Sequence, residues 1–210
     1  MARTAFAFAG MDLETDERLL EPREWTRAQS DWAAELLPHL PEGPVLELCS
    51  GAGHIGLAAV RGSARVLVAV DREEVAAETI RANAERVGMD GRVEVRCGDL
   101  SEVVAPGEVY PLVVADPPWV PHASIGTYPQ DPPGAIDGGA DGLDIARQCV
   151  EVIAAHLHAD GAALLQLGTA EQAHAIELPD GLVLTEVREY PRGVVACLRR
   201  PGPTPAGSSR

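Results

Sequence analysis

The stretch VLELCSGAGHIG, residues Val45–Gly56, combines a short apolar run, a glycine-rich loop and the start of an alanine-rich helical pattern. Asp71 ends the next apolar run, 20 residues beyond Gly51. Glycine lets the backbone approach a ligand closely, and a carboxylate at the end of a second strand can accept both hydroxyls of a ribose. This order of strand, loop, helix and acid predicts a nucleotide-type cofactor loop rather than a simple turn.

Short β-branched runs alternate with alanine-rich patterns along the rest of the chain. They predict strands at Val45–Leu48, Val66–Val70, Val93–Arg96, Leu112–Ala115, Ala162–Leu167, Val183–Val187 and Val194–Leu198. Apolar spacing predicts helices over Gln29–Leu37 and between Asp141 and His158, the second stopped by Asp160-Gly161. We expect an α/β fold with a Rossmann-like sheet of seven strands and helices on both faces. Six strands should be parallel, and the last two should form a hairpin that puts an antiparallel edge on the sheet.

The chain of 210 residues is long enough to bury one core, and no second large domain is expected. Residues 1–40 should form a lead-in, irregular or hairpin-like over Phe6–Arg23, and a helix, together acting as a cofactor lid. Residues 41–200 should form the main domain. Residues 201–210, rich in Pro, Gly and Ser, should be a disordered tail.

Composition excludes several classes of function. The net charge of −15 disfavours a broad nucleic-acid or membrane footprint, because such binding depends on Lys and Arg. The chain contains no Lys, which excludes Schiff-base chemistry. Four cysteines, Cys49, Cys97, Cys149 and Cys197, contain no Cys-x-x-Cys pair, so reduced thiols are expected and no metal site. No run approaches the ~18 apolar residues of a membrane span, and no leader is evident, so a cytoplasmic protein is expected.

The spacing Gly51-x-Gly53-x-x-Gly56 also fits a dinucleotide site. Glu47, just before the loop, would oppose a pyrophosphate but suit the ammonium of a methionine-like group. Asp99, at the end of the third strand, can accept the exocyclic amine of adenine. With an acid also following the fourth strand, the pattern favours a cationic sulfonium cofactor, S-adenosylmethionine, over NAD.

The acid after the fourth strand opens the segment Asp116-Pro117-Pro118-Trp119. Proline fixes φ and carries no N–H, so this turn can present carbonyl oxygens outward. A flat NH2 group could then be held by the Asp116 side chain and the Pro117 carbonyl. Trp119 could stack on its plane or pack in the core. Asp116, Pro117 and Trp119 are therefore the catalytic candidates, and the predicted reaction is methyl transfer to nitrogen.

Further motifs extend this set. They are Glu-x-Cys-Ser-Gly-x-Gly at the loop, Gly98-Asp99, IDGGADGLD at Ile136–Asp144, LQLG at Leu165–Gly168 with Gln172, and EPREWT at Glu21–Thr26. Together with Asp71 and the Asp-Pro-Pro-Trp segment, they resemble the class I methyltransferases that modify glutamine N5 of peptide-chain release factors. In that family the segment corresponding to Glu21–Thr26 folds over the cofactor.

The chain also departs from that family. The family usually has Asn-Pro-Pro-Tyr, whereas Asp-Pro-Pro-Trp is similar to adenine N6-methyltransferases. Cys49 stands in place of the usual first glycine. The helical N-terminal domain by which bacterial members hold the release factor has no counterpart before Glu21. Cofactor use is therefore predicted more firmly than the acceptor.

These patterns predict an S-adenosylmethionine-dependent N-methyltransferase acting on a glutamine-type amide of a protein. The candidate cofactor-binding residues are Thr26, Glu47, Cys49, Gly51, Gly53, His54, Asp71, Arg72, Asp99, Leu100 and Asp116. His54 and His122 flank the site and are expected to be hydrogen-bonding or surface residues rather than general bases. Trp25 should belong to the lid and Trp32 to the core.

Three alternatives stay open. A small-molecule methyltransferase of specialised metabolism would be favoured by a deep closed pocket. A nucleic-acid methyltransferase of the adenine N6 type would need Arg23, Arg27, Arg72 and Arg147 gathered at the site mouth. A catalytically silent cofactor-binding protein would need a blocked path to Asp116. The expected partner is a protein or small-molecule acceptor, with nucleic acid disfavoured, no membrane, and a small partner subunit left open.

Overall fold

The computed structural model describes residues 3–202. The strands are β1 Arg3–Phe8, β2 Met11–Asp16, β3 Val45–Leu48, β4 Leu67–Asp71, β5 Val93–Cys97, β6 Tyr110–Ala115, β7 Leu157–Leu167, β8 Val183–Tyr190 and β9 Gly193–Arg199. The helices are α1 Arg27–Leu36, α2 His54–Val60, α3 Glu74–Arg86, α4 Leu100–Val103, α5 Pro133–Ile136, α6 Asp144–His156 and α7 Ala170–Ala175. Apart from its first two residues, the tail predicted to be disordered lies outside the described residues.

Seven strands form one sheet in the order β5-β4-β3-β6-β7-β9-β8. Strand β9 runs antiparallel to both β7 and β8, and the other pairings are parallel. The predicted Rossmann-like sheet with one antiparallel strand is confirmed. The antiparallel strand itself lies inside the sheet, because the chain returns from β8 and inserts β9 beside β7. Strand β3 pairs with β4 on one side and β6 on the other, so the chain order reverses there, where α/β sheets bind their ligands.

Helices cover both faces of this sheet, as predicted. On one face Leu46, Val113 and Leu165 pack with residues of α4, α6 and α7. On the other face Leu112 and Leu164 pack with α1, α2 and α3, and here Trp32 is buried as expected. Successive strand residues point to opposite faces, which is why adjacent positions divide between the two clusters.

The predicted boundary that differs most from the structure is the start of β7. Helix α6 ends at His156, and β7 begins at the next residue and continues through Asp160-Gly161, which the sequence predicted as a helix stop. Leu157 takes an extended conformation because it pairs with Tyr110 of β6, so sheet pairing rather than a glycine ends the helix.

The lead-in contains a hairpin, β1 and β2, turning at Ala9 and Gly10 with φ of 49° and 72°. The hairpin does not join the main sheet. Asn83 on α3 holds it, since its side chain accepts from Glu14 N and donates to Glu14 O, both at 2.8 Å. The same amide donates to Ala52 O at 2.9 Å, so the hairpin and the glycine-rich loop share one anchor.

The third glycine of the loop motif has a steric role. Gly56 N donates to Glu47 Oε1 at 2.7 Å, and a Cβ at Gly56 would lie 2.5 Å from Glu47 Oε2. The absence of a side chain therefore makes room for the buried Glu47 carboxyl. This accounts for the dinucleotide-like spacing without a pyrophosphate.

Replacing Gly56 by Ala should destabilise the protein by roughly 1–3 kcal/mol, because the new methyl group overpacks a buried site. In an unobstructed helix the same change would stabilise the protein by about 1 kcal/mol. The sign of the change in the free energy of unfolding therefore tells whether Gly56 is sterically constrained. The matched control is Gly62→Ala, where a Cβ meets no atom within 4 Å. Urea denaturation of both variants measures the difference, and a Gly56→Ala protein as stable as wild type would contradict the packing described.

Candidate cofactor and acceptor site

The carboxyl ends of β3, β4, β5 and β6 open into one cleft of about 1590 Å³. Four stretches contribute much of its lining: Arg18–Thr26, Cys49–Ala52, Asp71–Val75 and Asp116–Val120. Pockets for a single small ligand measure about 300–1,000 Å³. The cleft can therefore hold a nucleotide-sized cofactor together with part of an acceptor.

The glycine-rich loop lies against the end of β4. Gly51 N donates to Asp71 Oδ2 at 2.8 Å, and Glu73 N donates to Asp71 Oδ1 at 3.0 Å. Gly51 has a φ of 52°, and a Cβ there would meet no atom within 4 Å, so its backbone borders open space. Burial raises the pKa of the Asp71 carboxyl, while the two backbone N–H groups oppose that shift. The loop thus places a partly desolvated carboxylate beside exposed backbone.

Cys49 also has a positive φ, 57°, which an L side chain rarely adopts. The residue lines the cleft, and its Sγ lies 3.9 Å from Sγ of Cys149 on α6. All four cysteines are free, as expected. The backbone here has the conformation that glycine would provide, and the thiol fills the space towards α6.

Two further predicted cofactor residues, Asp99 and Leu100, line the cleft at the end of β5. Asp99 Oδ1 accepts from Ser101 N at 2.9 Å and from Ser101 Oγ at 2.6 Å, and these bonds lower its pKa. Asp99 therefore caps α4 and stays ionised. Arg72 is exposed at the rim and donates to Glu73 Oε1 and to Gly134 O on α5.

Glu47 and Gly53 do not line the cleft, which corrects the direct contact expected for them. The Glu47 side chain lies beneath the loop, 2% exposed, and among the described residues its Oε2 has no hydrogen-bond partner. Burial raises its pKa to about 8. Gly53 backs onto Ile80, where a Cβ would stand 3.1 Å from the isoleucine side chain. Both residues lie beneath the loop, on the side that faces α2 and α3. They support the loop and do not border the cleft.

Asp116 follows β6, and its backbone N donates to Leu48 O at 3.4 Å. Among the described residues none hydrogen-bonds to its carboxylate, and the residue lines the cleft. Burial alone raises its pKa to about 7. The path between the glycine-rich loop and Asp116 is open, since both border the same cleft. An acceptor group with free lone pairs is therefore present in a poorly hydrated part of the site.

The Trp119 ring lies between the end of β7 and the cleft. Its ring packs on Gly168, where a Cβ would clash with Cε3, and it also meets the Trp25 ring edge to face, with 6.5 Å between ring centroids. The ring thus packs against the end of β7 and also borders the cleft.

Gln172 fixes the position of this segment. Its Nε2 donates to Trp119 O at 3.0 Å and to Asp141 O at 3.1 Å, and its Oε1 accepts from Gly168 N at 2.9 Å. One half-buried amide therefore ties the Asp-Pro-Pro-Trp segment to the glycine-rich segment before α6 and to the end of β7. Sequence analysis named Gln172 as part of a motif but did not predict that it would join these segments.

The segment predicted as a lid forms a short 3-10 turn over Glu24–Thr26 that borders the cleft. Arg23 reaches across to Asp131, with Nη2 2.5 Å from Oδ1. Asp131, Tyr128, Ile145, Gln148 and Pro191–Gly193 also line the cleft, and sequence reasoning missed them. They lie on proline-rich loops, a hairpin turn and a helix face that carry no recognisable motif. Only Asp131, the acid within QDPPG, could have been noticed as a candidate site residue from the sequence.

Of the two histidines predicted to flank the site, His54 lines the cleft and His122 does not. His122 hydrogen-bonds to Asp137 at 2.7 Å on an exposed loop. The two residues are 15 apart in sequence, which hid the pairing. His54 is buried and bonded to Thr26. Within residues 3–202, no three His, Cys, Asp or Glu side chains are grouped to hold a metal ion.

The cleft rim is not basic. Eight carboxylates and four guanidinium groups line the cleft. Arg27 and Arg147 are not among them. Arg27 pairs with Glu24 and Asp31, and Arg147 pairs with Asp141 and Asp144. Arg23 and Arg72 are also paired with carboxylates. The gathering of arginines that would favour a nucleic-acid substrate is therefore not found. None of the helices within the described part of the chain has the length and apolar character to cross a membrane.

The fold is the one that class I methyltransferases share. A solved structure of a ribosomal protein L11 methylase from Lactobacillus delbrueckii subsp. bulgaricus superposes with a TM-score of 0.63. It is 16% identical, and the match covers 89% of this chain and 83% of that one. At this identity the likeness concerns the fold alone.

The sequence comparisons are more specific. Residues 29–127 match the family described as conserved hypothetical protein 95. A ribosomal protein uL3 glutamine methyltransferase of Bordetella pertussis is 34% identical over 140 residues, 64% of this chain and 47% of that protein. A release factor glutamine methyltransferase of Gloeobacter violaceus is 30% identical over 174 residues, 80% of this chain and 60% of that protein. The chain thus spans about half of the length of these relatives, and its resemblance to the glutamine methyltransferases is confirmed.

The raised pKa of Asp116 gives a stability test. In the folded protein its carboxyl keeps a proton up to about pH 7, whereas an unfolded chain ionises it near pH 4. The cost of burying the charge is therefore absent below pH 4, grows between pH 4 and pH 7, and is complete above pH 7. Asp116→Asn should be more stable than wild type by roughly 1–3 kcal/mol at pH 8 and show little gain at pH 4.

Urea denaturation at both pH values measures this difference. Asp160→Asn is the control, because the Asp160 side chain is 84% exposed and should show no such gain. An equal effect of Asp116→Asn at pH 4 and pH 8 would mean that the carboxyl is ionised throughout.

Proposed function

We propose that this protein is an S-adenosylmethionine-dependent N-methyltransferase that acts on a glutamine-type amide of a protein. The observation that carries the proposal is the unpartnered, largely buried carboxylate of Asp116, opening into the same cleft as the loop held by Asp71. An amide nitrogen and a methyl donor could meet there.

The lining suits a cationic adenosine cofactor. Asp71 and the bare backbone of Gly51 fit a ribose and its neighbouring atoms, and Asp99 with Leu100 would flank the adenine. Two carboxylates for each guanidinium group favour a cation over the two phosphates of NAD. When bound, S-adenosylmethionine supplies an electrophilic methyl group.

The residues of this chain would orient the acceptor. We propose that the Asp116 carboxylate accepts one N–H of the amide and the Pro117 carbonyl accepts the other, with Trp119 beside the amide plane. The lone pair of an amide is delocalised and poorly nucleophilic, so the nitrogen must be held in line with the methyl group. The negative charge of Asp116 would offset positive charge growing on that nitrogen. Orientation and electrostatic stabilisation of this kind can supply several kcal/mol without a covalent intermediate.

A protein acceptor is supported by the relatives, which are named as glutamine methyltransferases of ribosomal protein uL3 and of release factors. The size of the cleft, which exceeds the needs of the cofactor, agrees with a peptide loop as acceptor. The second candidate is an adenine N6-type nucleic-acid substrate, favoured by Asp-Pro-Pro-Trp in place of Asn-Pro-Pro-Tyr. The net charge of −15 and the pairing of the arginines oppose it.

Asp116→Ala should lower kcat by about 10² or more while leaving cofactor affinity within a few fold, because the carboxylate acts on the acceptor in the transition state. Asp116→Asn keeps an acceptor oxygen and recreates the glutamine-type motif, so it should retain much of the rate. The measurement is transfer of a radiolabelled methyl group from S-adenosylmethionine into a fractionated lysate, with Asp160→Asn as the control.

Label confined to protein supports the proposal, and amino-acid analysis should find it as methylglutamine. Label in nucleic acid or small molecules would reject a protein acceptor. Equal activity of wild type, Asp116→Ala and Asp116→Asn would show that Asp116 serves only the fold.

A further inference from the structure

We infer that His54 is a latch: it holds the Glu24–Thr26 turn against the glycine-rich loop and so positions the wall of the cofactor site. The inference rests on the proposed use of the cofactor. His54 would act through Thr26 and Arg23 rather than on the reacting atoms, which makes it a positioning residue.

The place of His54 in the fold supports a connecting role. It is the first residue of α2, directly after the glycine-rich loop, and it is 8% exposed. The edge of the Phe8 ring on β1 meets it at 4.8 Å between centroids, and Phe6 lies at 6.2 Å. Its Nε2 lies 3.1 Å from Thr26 Oγ1. One side chain therefore touches the loop, the N-terminal hairpin and the turn.

The direction of the hydrogen bond between Thr26 and His54 follows from the single proton that the Thr26 hydroxyl can donate. The Thr26 hydroxyl donates its single proton to the carbonyl of Arg23, with 2.8 Å between the oxygens, and a carbonyl can only accept. The bond between Thr26 and His54 must then be donated by His54 Nε2. The ring is consequently the neutral Nε2–H form, in agreement with burial lowering the pKa of His54 to about 3.

This chain of bonds continues across the cleft. His54 donates to Thr26, Thr26 donates to Arg23, and Arg23 pairs with Asp131 on the loop before α5. The Thr26 backbone N also donates to Arg23 O at 3.0 Å, closing the turn. Both walls of the cleft are thus linked to α2 through one imidazole N–H.

The latch carries a cost that an apolar ring would avoid. In the Nε2–H form, Nδ1 is an unprotonated acceptor, and among the described residues it has no partner although it is buried. An unpaired buried polar atom costs about 1–3 kcal/mol. Phenylalanine could fill the same position beside Phe6 and Phe8 without that cost. Fold stability and cofactor-site order should therefore respond to His54→Phe in opposite directions.

His54→Phe should keep or raise the free energy of unfolding and should speed hydrogen exchange at the Thr26 amide several-fold in the protein without added ligand. Affinity for S-adenosylhomocysteine, the demethylated cofactor, should fall about 3- to 10-fold, the range of one lost hydrogen bond. Thr26→Val should act similarly, and the double variant should lose little more than either single one. Thr26→Ser keeps the hydroxyl, so hydrogen exchange at residue 26 should stay as slow as in wild type.

His156→Phe is the matched control, because His156 is also buried, bonds to Glu108 O at 2.8 Å and does not line the cleft. It should destabilise the fold without changing exchange at Thr26. Exchange at Thr26 in His54→Phe that equals wild type would overturn the latch, as would additive effects of His54→Phe and Thr26→Val on affinity. A wild-type protein that fails to bind S-adenosylhomocysteine would instead reject the proposed cofactor, while exchange in the ligand-free protein still decides the latch.

Discussion

The hydrogen bond from Gly51 N to the Asp71 carboxylate is the constraint on which the site depends. It joins the loop after β3 to the end of β4 and leaves the Gly51 backbone facing open space. The loop is held from behind as well, because Gly56 N donates to the buried Glu47 carboxyl and Asn83 donates to Ala52 O. With the loop fixed in this way, Asp71, Asp99 and Asp116 all border one cleft at the reversal of strand order.

The site gathers carboxyl groups where burial disfavours their negative charge. Burial raises the pKa of Glu47 to about 8 and that of Asp116 to about 7, and it also raises the pKa of Asp71. Charged groups arranged at a cost to the fold commonly mark functional sites. A cationic ligand would favour the ionised forms and offset part of this cost, whereas a polyphosphate would add to it. The electrostatics of the cleft therefore favour the proposed sulfonium cofactor.

Much of the fold could be predicted because the seven strands and the glycine-rich loop are encoded in short local patterns. Periodicity could not show that β7 starts directly after His156, since pairing with Tyr110 sets that boundary. Motifs identified Asp71, Asp99 and Asp116 as strand-end acids, and all three line the cleft. They could not show that Glu47 faces α2, nor that Gln172, Asp131 and His54 tie the walls of the cleft together. Those contacts join residues far apart in the chain.

Calorimetric titration of S-adenosylmethionine and NAD into wild type and Asp71→Ala tests the central claim most directly. The account predicts micromolar binding of S-adenosylmethionine, no binding of NAD, and a loss of roughly 1.5–3 kcal/mol in Asp71→Ala from the unpaired ligand hydroxyls. Asp160→Asn should match wild type. Binding of NAD, or full affinity for S-adenosylmethionine in Asp71→Ala, would contradict it.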